Sequence, residues 1–264
     1  MRITFCGDTH GAFSSLTTIA ERECPDIIIQ CGDFGIWPSS NGNYNKIKTK
    51  TNIPIYFCRG NHEEHNLLDT FPDFKISNLK TSERLVKENV VELSGLGFEY
   101  FEKLKNIPFP SADNIYLCES GSILSPAANF NILFIGGALS IDKEWRTPNK
   151  SWWTQETMWK YQVEYVLDLI ESESLPKINV VVSHTCPYFM TDAVINKYTY
   201  EKALDPVCKL LDRVYAEIHP ELWVFGHFHK YFTGVFEKTK FVALNMCDIE
   251  TGRFNSEFFY NVDI

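Results

Sequence analysis

The chain has 264 residues, 44% of them hydrophobic and 22% charged, a balance that excludes the disordered, collagen-like and coiled-coil classes and suits one large globular domain. Twenty-five Lys and Arg against 34 Asp and Glu leave a formal charge of −9, so no whole-chain basic field exists to draw in a polyanion. Eight cysteines with no CxxC pair argue against a disulfide framework and for reduced thiols in a cytoplasmic setting.

The first predicted element is already a strand. Met1-Arg2-Ile3-Thr4-Phe5 runs into Cys6-Gly7-Asp8, which leaves no room for an apolar targeting core, and no apolar run approaches the roughly eighteen residues of a membrane span. The expectation is a soluble, intracellular protein. Five further apolar runs follow, at 26–31, 54–58, 131–135, 179–182 and 222–225, each short and most rich in β-branched residues. They read as strands buried on both faces. After the six strands come GDTHG, GDFG, RGNHE, GGALSID, SHTCP and GHFHK, so polar chemistry collects at strand carboxyl ends, where open α/β sheets place their sites.

Helical spacing lies between some strands. Ser14 can cap a helix to about Glu23, and one helix is expected from about Thr154 to Glu173 with Trp159, Val163, Val166 and Ile170 on a stripe. Asp205-Pro206 opens another, in which Val207, Leu210, Leu211, Val214 and Ile218 recur at three and four. The alternation predicts a layered α/β domain. Residues 64–130 read as an elaboration with a weak helix near 65–70, a Gly-bearing segment at 95–97 and a strand pair, Asn114–Glu119 and Ser122–Ser125, around Gly121. The tail at 232–264 has alternating runs that suggest a closing antiparallel sheet. With no repeat or linker, residues 1–264 are taken as one domain.

Asp8, His10, Asp33, Asn61, His62, His184, His227 and His229 all follow predicted strands, and they include five of the seven histidines. Side chains two apart on extended backbone, as in Asp8-x-His10 and His227-x-His229, point to the same side and can approach one ion together. Carboxylate, imidazole and amide oxygen suit divalent first-row metals. Seven such ligands are too many for one ion and about right for two that share a bridge.

The ordered blocks GDTH, GDFG, RGNHE, SHTCP and GHFHK resemble the calcineurin-like metallophosphoesterase superfamily, in particular its small phage and bacterial members. The resemblance implies an α/β fold, a β-sandwich of two mixed sheets flanked by helices. It implies that Asp8, His10 and His229 hold one divalent ion, that Asn61, His184 and His227 hold the other, and that Asp33 bridges them. Manganese heads the candidate metals, with iron, zinc, nickel or magnesium behind it. A hydroxide bridging the ions would attack the phosphorus in line. His62, beside Asn61, would protonate the leaving oxygen or stabilise developing charge.

The second block reads Asp33-Phe34-Gly35-Ile36-Trp37-Pro38, without the further Asp and Arg that the Ser/Thr protein phosphatase branch carries there. That branch is therefore disfavoured, although Arg59 matches its phosphate-contacting position. Arg59 and Arg146 are the candidate substrate contacts, Lys143 a weaker one, and Asp142 could orient a ligand histidine. Trp145, Trp152, Trp153 and Trp159 could form an aromatic wall for a flat leaving group, but bracing the loop is the simpler role. Cys6, Cys31 and Cys58, each close to a metal block, read as buried apolar thiols rather than ligands. His65 and His219 read as peripheral.

The expected activity is metal-dependent hydrolysis of a phosphomonoester or phosphodiester, with a phosphate ester as the partner and no membrane. Residue types do not separate the two ester classes. A nuclease is one alternative, kept alive by Lys46-Ile47-Lys48-Thr49-Lys50 but set against the charge of −9; a non-enzymatic metal-bearing interaction module is another.

Overall fold

A computed structural model describes residues 1–36, 49–68, 114–195, 205–247 and 256–264. Two mixed sheets face each other. The first, of five strands, has the order β11-β1-β2-β3-β4, and the second, of six, the order β5-β6-β7-β8-β10-β9. The first holds β1 (Arg2–Cys6), β2 (Ile27–Gln30), β3 (Ile55–Phe57), β4 (Ile115–Leu117) and β11 (Phe259–Asp263). The second holds β5 (Ile123–Ala127), β6 (Phe130–Ile135), β7 (Val180–Ser183), β8 (Leu222–Phe225), β9 (Phe232–Phe236) and β10 (Thr239–Ala243). Helices α1 (Ser14–Glu23), α2 (His65–Leu68), α3 (Lys160–Ile170), α4 (Thr191–Val194) and α5 (Pro206–Ile218) complete the elements used below.

The strand sequences sort themselves by parity. Ile3, Phe5, Ile27 and Ile29 of the first sheet meet Ile132, Phe134, Val180, Val182, Leu222 and Val224 of the second in one core between the sheets. The intervening residues point outward: Leu133, Ile135, Val181, Trp223 and Phe225 pack with Val166, Ile170, Leu210, Leu211 and Val214 of α3 and α5. On the far side Cys6, Ile28 and Phe57 pack with Leu16, Ile19 and Ala20 of α1. Period-2 strands with both faces apolar thus produce four layers, helix on sheet on sheet on helix. β1, β2 and β3 are parallel neighbours, as are β7 and β8. Loops that carry the polar blocks therefore leave each sheet from adjacent carboxyl ends.

Several local expectations need correction. The pair at 114–125 is not a hairpin: β4 adds parallel to β3 in the first sheet, whereas β5 pairs antiparallel with β6 in the second. Nor does the tail form a sheet of its own. β10 lies parallel to β8 with β9 antiparallel at the edge, and β11 crosses to pair antiparallel with β1. The helix expected over 154–173 is broken into a 3-10 turn at Thr154–Thr157 and α3, with Met158 at φ 64° between them. The cause is tertiary, since the Glu156 carbonyl takes the Ala138 N–H at 2.8 Å and its carboxylate is drawn to Ser140. Trp159 becomes the cap of α3, Ser14 is the first residue of α1 rather than its cap, and Asp205 caps α5 as expected by accepting from Val207 N at 2.8 Å. The segment at 95–97 and most of the 64–130 elaboration lie outside the described residues, as do Trp37 and Lys46–Lys48.

Candidate metal centre

Asp8 follows β1, Asp33 follows β2, and Asn61 and His62 follow β3; His184 follows β7, and His227 and His229 follow β8. All seven expected ligands and His62 therefore meet where the two sheets face each other. The turns that deliver them are strained. His10, Asp33, His227 and His229 have φ of 45°, 54°, 69° and 50°, a region that costs a non-Gly residue of order 1–3 kcal/mol and persists where surrounding structure enforces it. Two motif glycines are steric requirements. A Cβ on Gly60 would collide with Oδ1 of Asp33, and one on Gly226 with Oδ1 of Asp8. The carboxylates press against bare backbone.

Two donor groups form around Asp33. In the first, Nε2 of His10 and Nε2 of His229 are 3.0 Å apart, His229 Nε2 is 3.1 Å from Asp8 Oδ2, and His10 Nε2 is 3.9 Å from Oδ2 of both Asp8 and Asp33. One ligand atom from each of Asp8, His10, Asp33 and His229 lies within 4.8 Å of all the others. In the second group, Asn61 Oδ1 lies 2.8 Å from His184 Nε2 and 3.1 Å from His227 Nδ1, while His184 Nε2 is 3.4 Å from Asp33 Oδ1. Asp33 offers a different oxygen to each group. Lone pairs from imidazole, carboxylate and amide oxygen converge here, and that donor set suits divalent first-row ions.

Neighbouring groups fix how the donors point. His184 Nδ1 lies 2.8 Å from the Cys31 carbonyl, which directs Nε2 inward. Asp8 takes the His227 N–H on both oxygens at 3.1 Å. Against burial, which opposes ionisation, the His184 imidazole holds Asp33 well below the usual carboxylate range.

His62 and Arg146 are brought together across 84 residues: Nη2 of Arg146 lies 2.6 Å from His62 Nε2 and 3.0 Å from Nδ1. A guanidinium only donates, so a hydrogen bond here is accepted by the one ring nitrogen of His62 that carries no proton. Burial first, and then Arg146, hold His62 below its ordinary range against the pull of Asp33. Asp142 pairs with Arg146 at 2.8 Å rather than with a ligand histidine. Arg59 behaves differently. It is buried and forks onto Glu119, with Nε at 2.9 and 3.1 Å and Nη2 at 2.6 Å, so its guanidinium is committed to a carboxylate.

The four tryptophans do not form a wall. Trp153 is buried, Trp159 caps α3, Trp152 donates to Glu156 at 2.7 Å and has Lys143 Nζ over its ring, and Trp145 stands 87% exposed on the rim. His65 is fully buried near Trp153, and His219 ends α5 beside Glu237.

Sequence reasoning missed three acidic residues and a serine. Glu63 is fully buried and takes the backbone N–H groups of Phe34, Gly35 and Ile36 at 2.6, 3.3 and 2.9 Å, which clamps the turn behind Asp33. Burial and the neighbouring Asp33 push its carboxyl up to about 8, against those three donors. Glu119 holds Arg59. Ser140 accepts from Asn61 Nδ2 at 2.9 Å and donates to Glu156 at 2.7 Å. The only advance signal was the position of Glu63 inside RGNHE and of Ser140 inside GGALSID; Glu119 and Glu156 carried none.

The family model for calcineurin-like phosphoesterases matches residues 1–231. No curated protein matches the chain. Among solved structures, the chain is similar to the anchor in the inner membrane complex of Plasmodium, with 14% identity over 98% of this chain and 77% of that one and a TM-score of 0.48. It is also similar to the phosphopantetheinyl hydrolase of Mycobacterium tuberculosis, with 12% identity over 98% and 95% and a TM-score of 0.46. A third is a predicted phosphoesterase of Streptococcus pneumoniae, with 11% identity over 99% and 83% and a TM-score of 0.35.

Proposed function

Because the chain belongs to the calcineurin-like phosphoesterase family, we propose that it hydrolyses a small phosphoric ester, monoester or diester, with two divalent ions. Asp8, His10 and His229 hold one ion, Asn61, His184 and His227 the other, and Asp33 serves both. Manganese is the metal of first choice. When bound, such ions supply charge for the phosphate oxygens and lower the pKa of water at the site.

The observation that carries this reading is the division of Asp33, whose Oδ2 faces His10 and Oδ1 faces His184. The remaining steps fall to the chain's own side chains. Arg146, a planar fork beside His62, turns onto a phosphate oxygen when substrate enters. His62, released from that contact, takes a proton from solvent and passes it to the leaving oxygen, or stabilises charge there. Arg59 is assigned a structural part, because its fork is already filled by Glu119. The pairing of β11 with β1 supports reading residues 1–264 as one domain. No helix among the described residues is long and apolar enough to cross a membrane, and eight free cysteines support a reducing, cytoplasmic setting. The test is an assay of Mn2+-loaded protein on a chromogenic phosphomonoester and a phosphodiester beside His62→Ala. Turnover lost in the variant supports the reading; equal inactivity of both despite bound metal removes it.

A further inference from the structure

A buried chain of hydrogen bonds runs outward from Asn61. Its amide Nδ2 donates to Ser140 Oγ at 2.9 Å, Ser140 Oγ donates to Glu156 Oε2 at 2.7 Å, and Glu156 Oε1 takes the Ser140 N–H at 3.0 Å and the Trp152 indole N–H at 2.7 Å. Asn61, Ser140 and Glu156 are 2%, 3% and 0% exposed, so water does not compete for these bonds. The other face of the amide, Oδ1, is the atom turned to His184 and His227.

An asparagine at a metal is useful in one orientation only. Rotated by half a turn, it presents two N–H hydrogens where an oxygen lone pair is needed. Nothing in the amide's shape selects between the two. Its partners must, and here they do: the Ser140 N–H and the Trp152 indole N–H both donate to Oε1 of Glu156, and the ionised carboxylate has only lone pairs to offer Ser140 Oγ through Oε2. Ser140 must therefore spend its one hydrogen on Glu156 and present a lone pair to Asn61.

We propose that Ser140 and Glu156 are positioning residues, a polarity relay that holds Asn61 with Oδ1 toward the ion it shares with His184 and His227. The inference rests on the two-ion reading above. The relay has a second end. Glu156 grips Trp152, Lys143 Nζ stacks at 4.3 Å over the Trp152 ring, and Lys143 precedes Arg146 on the same loop. One carboxylate thus ties the asparagine ligand to the loop that carries the contact to His62.

Glu156→Gln is the sharpest probe. An amide NH2 in the place of Oε2 donates to Ser140 Oγ, turns the serine hydrogen toward Asn61 and favours the flipped amide. Ser140→Ala removes the relay's middle atom, and Ser140→Thr restores a hydroxyl. The measurement is calorimetric titration with Mn2+ alone, with circular dichroism to register folding. Expected are two Mn2+ equivalents in wild type, one of them weakened about ten- to a hundredfold in Glu156→Gln and Ser140→Ala, with recovery in Ser140→Thr. If Glu156→Gln does not fold, the serine pair carries the same test. Folded variants that bind both ions as wild type does overturn the relay alone. Wild type that binds no Mn2+ overturns the two-ion reading and the relay with it.

Discussion

Oδ1 of Asp33 stands 3.4 Å from Nε2 of His184. That oxygen also takes the His62 N–H at 2.7 Å, so the carboxylate that faces both donor groups also sets the backbone from which His62 projects. Replacing Asp33 therefore disturbs both groups at once. Asp33→Asn is expected to lower turnover by at least about a thousandfold, since metal charge contributes several kcal/mol to such reactions and each tenfold is about 1.4 kcal/mol. His229→Ala, at the open edge of one group, should cost less metal. The comparison is made by steady-state kinetics over a Mn2+ series.

The His62 ring meets Arg146 at 2.6 Å and lies edge-on to the His10 ring with centroids 5.4 Å apart. His62→Ala is expected to lower kcat by about 10²–10⁴-fold while Mn2+ affinity stays at the wild-type value. Loss of metal in this variant would reassign His62 as a structural support.

The two arginines should separate cleanly. Arg146→Ala removes a guanidinium that now rests on Asp142 and His62 and would exchange the His62 contact for a phosphate oxygen; the loss expected for a charge-assisted contact of about 1.5–3 kcal/mol is roughly 10- to 150-fold in kcat/KM, with little change in melting temperature. Arg59→Ala strands Glu119 beside a buried backbone, and side chains only 10% and 32% exposed mark that pair as partly desolvated. Its effect is expected chiefly as a melting temperature several degrees lower, with KM near wild type. The opposite pattern, a KM effect at Arg59 and a stability effect at Arg146, would exchange their roles.

Seven of the eight thiols are buried and Cys24 is exposed. Burial pushes Cys6, Cys31, Cys58 and Cys186 well above the ordinary thiol range. A raised pKa leaves less thiolate at a given pH, and the thiolate is the reactive form. Native protein at pH 8 should therefore take up one equivalent of iodoacetamide, at Cys24, and the other seven only in denaturant. Rapid labelling of Cys31 or Cys58 in the native state, read by mass spectrometry, would contradict their placement as inert core residues.

The strands and the candidate ligand residues were legible because both are local signals. A run such as Ile27-Ile28-Ile29 needs no distant information to read as a buried strand, and Asp8, Asp33, Asn61, His184 and His227 each sit at the end of one. Pairing was less legible, because β4 and β5 are close neighbours along the chain, around Gly121, but join different sheets. The supports of the site were not legible at all. Asn61 meets Ser140 across 79 residues and Arg59 meets Glu119 across 60, and neither sequence position marks its partner. Met158 shows the same limit in reverse: local periodicity from Thr154 onward favours one helix, and the demands of Ala138 and Ser140 on Glu156 break it.

The central claim is that two ions share Asp33, and metal content measures it most directly. Protein loaded with Mn2+, freed of excess by gel filtration and analysed by elemental mass spectrometry, should retain two equivalents per chain, and Asp33→Ala fewer than one. A wild-type chain that keeps none, or an Asp33→Ala chain that keeps both, would contradict the account.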